Sequence, residues 1–150
     1  MKNYPASFLG AMLLLLISCS STKQSTPDSF FGQTWILEYI AVPDTSLDEI
    51  FPEKKPEITL DEETGLAVGN SGCNGYQAPY ELDGSEISFG EPGPSTLMYC
   101  GEGENQFRKT IRQVDQWRYT KEGMLEFLSK GVPVLRFAKA GSELLPQTMP

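Results

Sequence analysis

The chain has 150 residues, with 12 basic against 20 acidic side chains, no histidine and a net charge of −8. Acidity without a basic stripe argues against nucleic acid and against electrostatic adhesion to anionic lipid, and the missing imidazole removes the commonest general base and metal ligand. The length suits one domain with a real core and is too short for two comfortable ones.

Met1-Lys2-Asn3 is a weakly positive start, followed by an apolar run, Phe8 to Ile17. That run is shorter than the roughly 20 residues a bilayer span takes. It ends in Leu16-Ile17-Ser18-Cys19, which resembles the lipobox of bacterial lipoproteins. The resemblance implies that residues 1–18 are a signal peptide and that Cys19 becomes the mature N-terminus, acylated on sulfur and amine. Each buried methylene contributes about 0.8 kcal/mol, so two or more chains anchor stably. Ser20, in place of an aspartate, resembles an outer-membrane address. Residues 19–29 are rich in Ser, Thr and Gln and read as a flexible tether.

Phe30 and Phe31 open the folded part, expected over residues 30–138. Trp35 to Ile40 alternates as a strand, placing Trp35, Leu37 and Tyr39 on one face. Val42 to Pro56 is an acidic loop broken by three prolines. Glu57 to Leu60 and Leu66 to Val68 flank a turn ending at Gly65. Tyr76 to Leu82 and Ile87 to Phe89 flank Asp83-Gly84, the strongest hairpin signal in the chain. In Glu104 to Val114 the period changes: Phe107, Ile111 and Val114 form the stripe of an amphipathic helix, with Glu102 and Glu104 near its first turn, where they complement the helix dipole. Trp117 to Tyr119, Met124 to Leu128 and Val132 to Phe137 complete the meander, and residues 139–150 read as a loose tail. The fold class is mainly β (α+β): an antiparallel meander of about eight strands forming a small barrel, with one inserted helix. Trp35, Tyr39, Phe89, Trp117, Phe127 and Phe137 are large enough to fill its inside.

Cys73 lies in Ser71-Gly72-Cys73-Asn74-Gly75-Tyr76. With Cys19 assigned to lipid, Cys73 and Cys100 remain, and beyond the inner membrane such a pair most often bonds. The disulfide would contribute about 3.6 kcal/mol in the chain-entropy model. A nucleophilic thiolate would need a base that no histidine supplies, and two thiolates without a CxxC spacing are a poor start for zinc. Met98 and Cys100 are soft ligands two residues apart, although Met98 reads as a core side chain. Asp44, Asp48, Glu49, Glu53 and Glu57, with Asp61, Glu62 and Glu63, lack calcium-loop spacing and read as a solvated acidic face. No GxSxG or phosphate-cradling glycine loop occurs.

Trp35-Ile36-Leu37, Gly72-Cys73-Asn74 with Tyr76 and Tyr80, Thr96-x-Met98-x-Cys100, a helix carrying Phe107, Leu125-x-Phe127 and Leu135-x-Phe137 follow one another in this order. Together they resemble the META domain family of HslJ-like heat-shock lipoproteins. Ala78-Pro79 and Tyr99 depart from it, where the family prefers glycine and a small residue. The resemblance implies a lipocalin-like barrel in the bacterial envelope. It also implies an association with heat-inducible expression and novobiocin tolerance, and no established enzymatic activity or cofactor. The expectation is a monomeric, non-enzymatic envelope lipoprotein held at the membrane by its N-terminal lipid. It would bind an envelope component in maintenance or stress tolerance; the alternative is a carrier of a small apolar ligand, which an eight-strand barrel can be just wide enough to hold.

Overall fold

The computed structural model describes residues 30–93, 98–99 and 101–142. The expected signal peptide, the lipidation at Cys19, the tether, Cys100 and residues 143–150 of the expected tail lie outside the described residues.

Eight strands close into an antiparallel barrel in chain order. They are β1 (Thr34–Ile40), β2 (Glu57–Asp61), β3 (Leu66–Asn70), β4 (Gly75–Asp83), β5 (Glu86–Phe89), β6 (Gln116–Tyr119), β7 (Leu125–Ser129) and β8 (Val132–Lys139), with β8 returning to pair with β1. The expected inserted helix is α2 (Gly103–Ile111), between β5 and β6. Hairpin chemistry sets the register where the sequence indicates it. Lys130 (φ 52°) and Gly131 (φ 78°) both take left-handed backbone between β7 and β8, as a tight type I′ connection requires.

The loop read over Val42 to Pro56 contains a further turn of helix, α1 (Leu47–Ile50). Ser46 and Glu49 start it: Glu49 N donates to Ser46 Oγ (3.3 Å) and Ser46 N donates to Glu49 Oε2 (2.8 Å). This reciprocal capping box satisfies two donors that a helix start otherwise leaves unpaired. The S-x-x-E spacing was present in the sequence, hidden among prolines.

In an up-and-down barrel the odd connections share one end. Here the β1–β2, β3–β4, β5–β6 and β7–β8 connections gather at what we term the loop pole. The chain enters at the opposite end, where Phe30 is fully buried with its ring centroid 4.4 Å from that of Trp117. Between the two ends the interior is packed with side chains, among them Trp35, Phe127, Leu135 and Phe137, all buried. Eight strands leave a width that side chains of this size fill. The helix stripe closes the barrel: Phe107, Ile111 and Val114 are all buried, although α2 ends at Ile111 and Val114 lies beyond it.

One expected filler points elsewhere. Tyr39 is 41% exposed, because the pairing of β1 with β8 shifts register between Leu37 and Tyr39. A bulge inserts one residue and inverts the alternation beyond it, so Ile40 turns inward instead. The unusual Pro79 within β4 is also accounted for. Its carbonyl accepts from Gly90 N (2.8 Å), so its nitrogen faces the same side, where β5 has already ended at Phe89. A proline there forfeits no ladder bond, and a Cβ on Gly90 would lie only 2.8 Å from Pro79 Cγ.

Candidate functional site

The loop between β3 and β4 is a compact turn at the loop pole. Gly72 N donates to Asn70 Oδ1 (2.8 Å), Asn70 Nδ2 donates to Cys73 O (3.2 Å), and Ser71 N donates to Asn74 O (2.9 Å). Gly72 has φ 101°, and a Cβ there would lie 2.5 Å from the Phe51 ring, so both backbone and packing require glycine. Gly103 makes a matching close approach from α2: its Cβ would lie 2.4 Å from Ile50 O. The β3–β4 loop and the first turn of α2 are thereby seated against the end of α1.

Asn74 joins these parts. Its side chain is buried; it accepts from Met98 N (3.0 Å) and donates to Met98 O (2.8 Å) and Glu104 Oε2 (2.5 Å). The amide thus pairs with Met98 as a neighbouring strand would, satisfying both of its backbone groups. Ser71 Oγ, also buried, lies 2.8 Å from Glu104 Oε1 and 2.9 Å from Asn74 O, and Arg108 stands 3.6 Å from Glu104. Both carboxylate oxygens of Glu104 are engaged in holding the loop.

The consequence is a pinned backbone with outward side chains. Met98 is 65% and Tyr99 83% exposed, which corrects the reading of Met98 as core: it lies on a loop, where strand alternation does not apply. Clefts flank Tyr99 on both sides. One of about 520 Å³ is lined by Asn74, Met98, Tyr99, Glu104 and Arg108, and one of about 270 Å³ by Phe51, Glu53, Cys73 and Tyr99.

Cys73 is disulfide-bonded, and its sulfur sits 3.8 Å from Met98 O. The acidic residues do not converge. Glu49 is occupied in the α1 cap, and Asp61 Oδ1 accepts from Thr64 N (2.9 Å), a bond that holds its carboxyl below the usual range. Among the described residues no group of three or more His, Cys, Asp or Glu could hold a metal ion. Tyr76 and Tyr80 reach across to β2, donating to Glu57 O (3.3 Å) and Asp61 O (3.0 Å). Sequence reasoning gave Asn74 only a place in the Gly-Cys-Asn run and Glu104 only the helix dipole. Their joint role spans 30 residues, and the one available signal was the Gly-Cys-Asn run itself.

Residues 28–141 match the family model described as the META domain, and the chain belongs to that family. No curated protein matches it. Among solved structures it is similar to one described as the NMR structure of the protein from Burkholderia xenovorans. The identity is 19% and the TM-score 0.52, over 94% of this chain and 99% of that one. At such identity the likeness concerns the fold alone.

Proposed function

We propose that this META domain protein is a non-enzymatic lipoprotein of the bacterial cell envelope, anchored in the outer membrane through lipid on Cys19. Its role is to hold another envelope component at the loop pole, in envelope maintenance or stress tolerance. The observation that carries the reading is Met98, whose backbone is captured by the buried Asn74 while its side chain and that of the adjoining Tyr99 stand in solvent. A rigid aromatic presented in this way loses little conformational entropy on binding. Cys100 is the partner we assign to Cys73: the Cys73 sulfur lies near the carbonyl of Met98, two residues before it. The engaged oxygens of Glu104 and the bonded Cys73 argue against carboxylate or thiol chemistry at this pole. The packed interior argues against the apolar carrier, because Phe127 contacts Phe89 and Phe137 at centroid distances of 5.3 and 5.6 Å where such a ligand would sit.

A photo-crosslinking residue placed at Tyr99 in the full chain, expressed in its own envelope, tests the reading. A discrete adduct is expected from Tyr99 and none from Val68, which is 44% exposed on the barrel wall. The Cys19→Ser variant should leave the membrane fraction and lose the adduct. Equal labelling from Tyr99 and Val68 would show that the loop pole is not a contact surface.

A further inference from the structure

On the outer wall of β6, β7 and β8, three charged residues stand in cross-strand register: Arg118 opposite Glu126, and Glu126 opposite Arg136. Glu126 faces away from the interior yet is 1% exposed, because the two guanidiniums cover it. Arg118 donates to Glu126 Oε2 through Nε (2.6 Å) and lies within 2.5 Å of it through Nη2. Arg136 donates to Oε1 through Nε (3.0 Å) and Nη2 (2.7 Å). Each arginine therefore turns its Nε–Nη2 edge inward. Neither Nη1 has a hydrogen-bond partner among the described residues, and the side chains are 52% and 37% exposed.

One arginine would neutralise Glu126. The second leaves a surplus positive charge on a protein whose net charge is −8; in the adjoining turn Glu122 interacts with both Lys121 and Arg136, so the five charges together still sum to one positive. The arginines are also held in advance. Tyr39, turned out by the β1 bulge, lies under the Arg136 guanidinium at 5.4 Å, and Glu126 fixes both planes from below. Guanidinium edges with paired N–H donors match the oxygens of a tetrahedral oxyanion, and ordering the forks before binding reduces the entropic cost.

We propose that Arg118 and Arg136 form a binding site for a phosphate group on the outer wall, with Glu126 and Tyr39 as positioning residues. Inorganic phosphate, a soluble phosphomonoester and the phosphate of a lipid headgroup share the chemistry the site would read.

The full chain carrying Cys19→Ser is titrated with inorganic phosphate at constant ionic strength, following the arginine Nε–H resonances by NMR. Arg118 and Arg136 should shift and saturate. Arg112, an exposed arginine paired with Glu91 on the surface, should stay in place. Arg118→Gln should weaken binding about tenfold or more, as loss of a charged hydrogen-bond partner predicts. Arg118→Lys keeps the charge but not the fork, and should weaken it by a smaller factor even if the glutamine variant fails to fold. Sedimentation with phosphatidylcholine vesicles, with and without phosphatidic acid, separates the sources. Arg118-dependent capture by phosphatidic acid assigns a headgroup, and phosphate shifts without capture assign a soluble phosphate. Shifts at Arg118 and Arg136 no larger than at Arg112, or affinity unchanged in Arg118→Lys, would overturn the proposal.

Discussion

Inside the barrel, Phe89, Phe127 and Phe137 meet ring to ring with centroids 5.3 and 5.6 Å apart. At the loop pole, the buried Ser71 and Asn74 and the half-buried Glu104 are joined by hydrogen bonds of 2.5 to 2.9 Å. The first arrangement excludes water and favours any side chain of suitable volume. The second depends on particular donors and acceptors, and loses most when one partner is removed. Packing therefore accounts for the stability of the barrel, while directional bonds account for where Met98 and Tyr99 stand.

The sharpest contrast comes from truncating the interior. Phe127→Ala should lower unfolding stability by about 3–5 kcal/mol through lost burial and a residual cavity, read as a shifted denaturant midpoint with an unchanged slope. A loss below about 1 kcal/mol would mean that the interior is not the packed centre described above. At the pole, Asn74→Ala strips partners from both backbone groups of Met98 and should cost about 1–3 kcal/mol. Hydrogen exchange should show the Met98 amide accelerating by more than amides of β7, since opening is local. Uniform acceleration would erase the distinction between the two regions.

The smallest effects should appear on titration, with opposite signs inside and outside the barrel. Burial pushes the Tyr76 hydroxyl up, so the folded state keeps a proton that the unfolded chain releases near pH 10. Its contribution is full below that pH and declines as pH rises above it. At Glu126 burial pushes the carboxyl up, but the bonds and charges of Arg136 and Arg118 outweigh burial and hold it below the usual range. That contribution is present above about pH 4.3, the unfolded value, and is lost as pH falls through the folded one. Tyr76→Phe should flatten only the alkaline limb of a stability profile and Glu126→Gln only the acid limb.

Much of the fold was legible because it is written in local pattern. Alternation marked the strands, Asp83-Gly84 marked a turn, and the spacing of Phe107, Ile111 and Val114 marked the helix face. Tyr39 was misplaced because a bulge depends on the partner strand, which alternation within β1 cannot report. The polar pole was less readable for a related reason. Asn74 meets Met98 and Glu104 across 24 and 30 residues, and nothing periodic connects them. The Arg118–Glu126–Arg136 ladder was nearer to hand: once the β6–β7 and β7–β8 hairpins are drawn in register, the three fall in line.

The placement of the chain's entry opposite the loop pole has a mechanical consequence. Traction between residue 30 and anything held at Tyr99 runs lengthwise along β1, whose neighbours are β2 on one side and β8 on the other. Such a load strains the bonds of both ladders together, in shear, instead of peeling them apart one at a time. Entry and grip at the same end would have unzipped the barrel from its seam; at opposite ends, the strand that takes the pull is held by a ladder on each side.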